Sequence, residues 1–243
     1  DTVDELYVVH PDGTGRLKVS GATPPGSLGV NTVKWSPNAT RLAYLAQQDS
    51  ATAYELYTVF ADGTNAGKVS QILPGTSMTA STSTFGWSPD GVRLGFMAQQ
   101  NSTTVTRELY TVKPDGTQNV RVNGALAAGQ GAGTDFFFGW SSWSPDSTKI
   151  VFVIGGPVTE LYVGQADGSG TVKVSGTMVA GGNVNLSGYA WGPDGNRIAY
   201  NADQDTNGVW EGYTVLPDGT GRLKVSAPVV PGGSIGTGNQ GLW

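Results

Sequence analysis

Five near-copies of one short unit run along the chain, and their period is what most limits the folds open to it. Each copy reads Glu-Leu-Tyr or Glu-Gly-Tyr, then an Asp-Gly turn, then Lys-Val-Ser or Arg-Val-Asn. The copies begin at Glu5, Glu55, Glu108, Glu160 and Glu211, so the spacings are 50, 53, 52 and 51 residues. Repeats of this length are single supersecondary units that bury their apolar faces only by stacking on one another. A second signature sits between the copies: Trp35-Ser-Pro-Asn, Trp87-Ser-Pro-Asp, Trp143-Ser-Pro-Asp and Trp191-Gly-Pro-Asp. An apolar run follows each, as in residues 41–46, RLAYLA.

The runs are short, rich in apolar and β-branched residues, and bounded by turn residues, which is the pattern of buried strands. Proline followed by Asp and Gly in residues 88–91 presets a tight turn, so the Trp strand and the next strand form a hairpin. The Asp-Gly pairs at 62–63, 115–116, 167–168 and 218–219 do the same for the last two strands. Each unit is therefore read as a four-stranded antiparallel meander, apolar on both faces, which packs radially with its neighbours and closes into a ring. The expected fold is all-β: a single β-propeller domain over residues 1–243 with about five blades. Repeats begin near Trp35, Trp87, Trp143 and Trp191, while residues 1–34 and 235–243 contribute to an incomplete closing blade.

Composition agrees, since 37 Gly and 13 Pro supply the turns that many short strands need. With no Cys and one His, thiolate metal sites and disulfides are excluded, and a Ser-His-Asp triad has His10 as its sole candidate. That residue precedes a Pro-Asp-Gly turn and reads as an exposed turn histidine. A net charge of −5 without clustered Lys and Arg argues against nucleic acid as a ligand. No run of 18 apolar residues predicts a membrane span. The first residue is Asp1, which suits a mature secreted product and a trimmed piece equally.

The motif W-S-P-D-G-x-R-(I/L)-A-(Y/F), followed by E-L-Y-x-V-x-x-D-G-T and K-V-S, resembles the repeats of TolB-type β-propellers, relatives of the WD-repeat propellers. The likeness extends over essentially the whole chain. It implies bacterial periplasmic or exported propellers that bind other proteins, or propeller domains attached to peptidases of the prolyl oligopeptidase type. The sequence contains no hydrolase domain.

Five whole units of this period would need about 260 residues, and the chain is short of that by roughly one strand. Gln240-Gly-Leu242-Trp243 is expected to form the inner strand of the fifth blade, with residues 5–9 and 17–20 as its outer two and the second strand missing. The open edge formed by Glu5, Leu6, Tyr7, Val8, Val9, Gly241, Leu242 and Trp243 is then a candidate partner-binding surface. Three arrangements answer the deficit: the chain is a piece of a longer protein, a neighbouring subunit supplies the strand, or the ring closes irregularly on three strands.

Strand alternation puts the Ser-Pro-Asp-Gly and Asp-Gly turns on one regular rim and the variable loops on the other, where a ligand or partner is expected. There Asp203, Asp205, Asn207 and Glu211 offer oxygens around Gly208 in a calcium-like spacing, although position twelve is Thr214. Asn, Asp and Gly also make ordinary turns. Trp35, Trp87, Trp143, Trp191 and Trp243 are expected to pack between blades. Arg41, Arg93, Lys149 and Arg197 are expected to form exposed ion pairs with the turn aspartates. Three functions follow: a non-catalytic exported scaffold that binds protein or self-assembles; a carbohydrate-binding propeller using Phe136, Phe137 and Trp140; or a hydrolase or lyase using Asp135, Asp203 and Asp205 at the channel mouth.

Overall fold

The computed structural model describes residues 3–72, 76–78, 84–99, 107–127, 129–132 and 142–227. Among them there is no helix, and none therefore long and apolar enough to cross a membrane. The short strands β1 (Tyr7–Val8) and β2 (Leu17–Lys18) pair with each other. A four-stranded sheet follows, of β3 (Val30–Trp35), β4 (Arg41–Ala46), β5 (Glu55–Phe60) and β6 (Gly67–Lys68). Three more sheets share that sequential order. They are β7 (Phe85–Trp87), β8 (Leu94–Ala98), β9 (Glu108–Val112) and β10 (Val120–Arg121); β11 (Gly131–Ala132), β12 (Lys149–Gly155), β13 (Glu160–Gln165) and β14 (Thr171–Lys173); and β15 (Val184–Trp191), β16 (Ile198–Ala202), β17 (Glu211–Val215) and β18 (Leu223–Lys224).

These strands fall into two compact units: residues 1–103 with 110–120, and residues 104–109 with 121–243. In the first unit Ala43, Leu45 and Leu56 of one sheet pack on Phe85, Leu94, Phe96 and Tyr110 of the next. The opposite face of that same sheet, Leu42, Tyr44, Ala46, Tyr57 and Val59, packs on Val19 with Leu6 and Val8. In the second unit Val151, Val153, Leu161 and Val163 pack on Tyr189, Trp191, Ile198 and Tyr200. Both faces of a sheet are thus apolar, as successive side chains of one strand point to opposite sides.

The repeated residues each have a job. A cross-strand aromatic pair stacks at the centre of every four-stranded sheet, Tyr44 on Tyr57 at 5.6 Å and Tyr200 on Tyr213 at 5.3 Å, with Phe96–Tyr110 and Phe152–Tyr162 in the same register. In four of the five copies the last residue of the Lys-Val-Ser motif uses its side chain to accept the backbone N–H that follows the Glu: Ser20 from Leu6, Ser70 from Leu56, Asn123 from Leu109 and Ser175 from Leu161, at 2.7–3.1 Å, whereas Ser226 Oγ has no partner among the described residues. The Glu itself pairs with the Lys or Arg of the outer strand: Glu5 with Lys18, Glu55 with Lys68, Glu108 with Arg121, Glu160 with Lys173 and Glu211 with Lys224.

Two expectations need correction. Trp143 and Trp191 are 2% and 6% exposed, but Trp35 is 49% exposed. The indoles of Trp87 and Trp191 donate to the carbonyls of Lys34 and Ser142, each the residue just before the preceding repeat's Trp. No preceding inner strand is among the described residues for Trp35. The arginines also do not pair with turn aspartates. Arg93 bonds Gln118 and Thr111, Arg197 bonds Gly221 and Thr214, and Arg41 bonds Pro114, with Asp115 as a nearby charge; the turn carboxylates accept from their own turns, and Lys149 lies 3.9 Å from Asp146.

Those turns are Asx turns. In the Asp-Gly-Thr copies Oδ1 of the Asp accepts the N–H and the hydroxyl of the Thr two residues on, as in Asp62 to Thr64 at 2.9 and 2.6 Å. The Thr hydroxyl first and the N–H second hold Asp62, Asp115 and Asp218 below the ordinary carboxylate value; for Asp12 the order is reversed. A carboxyl lowered by folding contributes stability at neutral pH that is lost as the pH falls below about 4 and through the folded value. Denaturation midpoints are therefore expected to drop between pH 5 and pH 2.5. Replacing Asp62, Asp115 and Asp218 together by Asn, which keeps the accepting oxygen, should flatten that drop; an unchanged slope in urea melts at several pH values would assign the acid sensitivity elsewhere.

Candidate functional site

In the first unit, the sheet β3–β6 presents a face that is only half covered. Directly opposed residues on paired strands share a face, so Val33 opposite Tyr44 and Trp35 opposite Leu42 extend the cluster that β1 and β2 cap. Val33 and Trp35 are exposed, whereas Phe85, which holds the place of Val33 in the next repeat, is fully buried. The covered half lies under Leu6, Val8 and Val19, and the bare half is the inner one.

β1 reaches this face with one edge that no strand among the described residues pairs with. The N–H of His10 donates to Thr14 and the carbonyl of Leu6 accepts from Val19, so the even-numbered residues turn their backbone groups toward β2. By alternation Glu5, Tyr7 and Val9 turn theirs to the other side, and among the described residues no strand pairs there. The chain before β1 is anchored: the Asp4 N–H donates to Leu28, and the Asp4 carbonyl accepts from Val30 at 2.8 Å. That carbonyl lies where a Cβ on Gly29 would be, and Gly29 has φ +80°, so only glycine fits. Glu5 pairs with Lys18 and accepts the Tyr7 hydroxyl at 2.6 Å, while the Arg16 guanidinium lies 4.1 Å over the Tyr7 ring. Leu6 and Val8 are packed inward, and Tyr7 and Val9 remain exposed. Of the expected edge residues, Gly241, Leu242 and Trp243 lie outside the described ones.

The second unit has a bare apolar position of its own. Val225 of the last Lys-Val-Ser is 59% exposed, while its counterparts Val69, Val122 and Val174 are at most 2% exposed. On the same sheet, the β16 position that holds Leu45 in β4 is Asn201, whose Oδ1 is buried without a hydrogen-bond partner.

The acidic loop of the second unit is built as a brace. Asp203 is buried, and its two oxygens accept the backbone N–H groups of Asn183 at 2.6 Å and Gly208 at 2.8 Å. Asp205 and Glu211 both face the Lys224 ammonium, and Glu211 also accepts the Tyr213 hydroxyl. The Asn207 amide lies beside Gly181. Among the described residues no three His, Asp or Glu side chains gather into a group able to hold a metal ion. Asp135, Phe136, Phe137 and Trp140 lie outside the described residues, and His10 is exposed on its turn.

The equivalent positions in the first unit brace the loop between β2 and β3, which the sequence did not lead us to expect. Gln47 accepts the Leu28 N–H, and Gln48 accepts both the Gly21 N–H and the Tyr44 hydroxyl. Gln204 repeats this with Gly176 and Tyr200. The available signal was the recurring Ala-Gln-Gln and Ala-Asp-Gln at the end of the second strand. Exchanging one Asp203 oxygen for an amide N–H in Asp203→Asn turns a donor against a donor. The expected cost is about 1–3 kcal/mol, read as a lower thermal midpoint with the β-sheet circular dichroism unchanged; an unshifted midpoint would refute the bracing role.

No family model matches the chain, and no curated protein sequence matches it. Solved structures do resemble it. A putative TolB from Agrobacterium tumefaciens is 16% identical with a TM-score of 0.50, the match covering 93% of this chain and 70% of that one. An oligogalacturonate lyase from Vibrio parahaemolyticus is 16% identical with a TM-score of 0.50, covering 90% of this chain and 58% of the lyase, so this chain spans less than two thirds of the lyase's length. At this identity the likeness concerns the fold, and it agrees with the repeated four-stranded antiparallel sheets: the chain has the TolB-type β-propeller fold.

Proposed function

We propose that this chain is a non-catalytic, exported propeller that binds another protein by accepting one of its segments as an added strand along β1. The observation that carries the reading is the edge of β1 that no strand among the described residues pairs with, beside the bare inner half of the sheet face formed by Val33 and Trp35. Unpaired backbone groups next to exposed apolar surface invite strand addition, in which the main chain supplies affinity and alternate side chains supply selectivity.

The neighbouring sheets define what such a segment must carry. Beside each Glu-Leu-Tyr or Glu-Gly-Tyr strand of the four-stranded sheets runs a strand with a large aromatic opposite the Tyr and apolar residues two positions away: Leu42, Tyr44 and Ala46; Leu94, Phe96 and Ala98; Ile198, Tyr200 and Ala202. The fitting occupant is therefore an extended segment of a different protein with apolar or aromatic side chains at alternate positions. Covering a side chain the size of Val33 or Trp35 is worth about 1.5–3 kcal/mol. Support for a binding role rather than a catalytic one comes from the acids near the variable loops: Asp203 is used up by backbone N–H groups, and Asp49, Asp205 and Glu211 face lysines. Export rests on the resemblance to exported propellers.

A fluorescent peptide copying residues 88–99, SPDGVRLGFMAQ, is a direct probe of the edge. It is expected to bind saturably. Val9→Pro removes a backbone N–H from the open edge without touching the β1–β2 pairing, and should weaken binding about tenfold. Absence of saturable binding, or equal binding to Val9→Pro, would overturn the proposal. Concentration-dependent self-association that Val9→Pro abolishes would replace the foreign partner by a second copy of this chain.

A further inference from the structure

The residue that opens the second strand is an arginine in three of the repeats, and its guanidinium does not always do the same thing. In two repeats it folds onto its own outer turn. Arg93 donates to the carbonyl and side chain of Gln118, and Arg197 donates through both Nη atoms to the carbonyl of Gly221 at 2.9 and 3.0 Å. Gln118 and Gly221 occupy equivalent places, each with positive φ, and the third member of that set is Asn65 at φ 49°.

Arg41 leaves Asn65 alone. Its Nη1 donates instead to the carbonyl of Pro114 at 3.2 Å, which also accepts the Thr58 hydroxyl. The guanidinium lies 3.7 Å over the ring of Phe60. At that position the repeats of Arg93 and Arg197 have Lys113 and Leu216, so the aromatic platform exists only here. Stacking on an aromatic face holds a guanidinium flat and displaced. A groove opens as a result, of about 390 Å3, bounded by Arg41, Asn65, Gly67, Lys68, Pro114 and Asp115 within the first unit.

We propose that this groove binds a carboxylate that has a hydrogen-bond donor beside it. Among the described residues the Arg41 guanidinium donates only through Nη1, to Pro114 and Thr58, which leaves Nε and Nη2 as the planar fork that matches a carboxylate. Two acceptors remain for the accompanying donor: the Asn65 carbonyl, which its counterparts give to arginine, and Oδ2 of Asp115, whose Oδ1 is occupied by Thr117. Lys68, also on the groove's rim, is held by Asp49 and Glu55. The donor beside the carboxylate is either the ammonium of a free amino acid or the amide N–H of a peptide C-terminus. The site is separate from the edge of β1, so it stands whether or not strand addition occurs there.

Titration of the isotope-labelled chain with acetate, glycine and acetyl-Gly-Gly, followed by amide NMR, tests this. Saturable shifts confined to residues 65–68 and 115 are expected, with glycine or acetyl-Gly-Gly at least about fivefold tighter than acetate. Preference for glycine assigns the free amino acid, and preference for acetyl-Gly-Gly the peptide terminus. Arg41→Ala should abolish the shifts. Phe60→Leu, which installs the residue found beside Arg197, should let Arg41 fold onto Asn65 and close the groove while the rest of the spectrum is preserved. Shifts that are absent, do not saturate, or persist undiminished in Phe60→Leu would sink the proposal.

Discussion

Everything in this chain follows from sheets that are apolar on both faces. A strand such as β4 turns Leu42, Tyr44 and Ala46 to one side and Ala43 and Leu45 to the other, and all five are buried. Such a sheet has no side it can show to water, so it is stable only between two others. Within each unit the consequence is visible: a sheet face is covered wherever a neighbouring sheet meets it, and Val33, Trp35 and Val225 are bare where none of the described residues does.

Much of this was legible in the sequence because the repeat aligns residues by role. The strand order, the hairpins and the two turn types followed from Trp, Pro, Asp and Gly at fixed offsets. What repetition concealed is that equal residues need unequal surroundings. Trp35 carries the same motif as Trp191, but burial of an indole depends on the strand beside it, and a motif does not record its neighbour. Arg41 differs from Arg197 through one residue, Phe60 against Leu216, which lies nineteen positions further along the chain. Among the acids, the spacing of Asp203, Asp205, Asn207 and Glu211 did not disclose that Asp203 accepts two backbone N–H groups. Oxygens spaced to surround a metal are also spaced to cap a turn, and the choice depends on which N–H groups the fold brings up to them.

The described loops at residues 21–28 and 176–183 are consequently less loose than their composition suggests. Gln48 and Gln204 each tie a mid-strand tyrosine hydroxyl to the backbone that leaves the outer strand, and Gln47 and Asp203 fasten the approach to the inner strand. Side-chain amides and carboxylates do there what ladder hydrogen bonds do inside the sheet. Those two loops are mounted on fixed bases, an arrangement that lets their sequence vary without cost to the frame.

The turns carry one more consequence, and it concerns time rather than stability. Seven Asp-Gly pairs stand in this chain, at Asp12, Asp62, Asp90, Asp115, Asp167, Asp194 and Asp218. In an unstructured chain that dipeptide is where a carboxyl most readily cyclises onto the next backbone nitrogen and rearranges to isoaspartate. Here every one of the seven carboxylates is tethered to the N–H two residues on, and is thereby held against the rotation that cyclisation requires. The bonds that shape the hairpins thus also oppose their chemical ageing for as long as the chain stays folded.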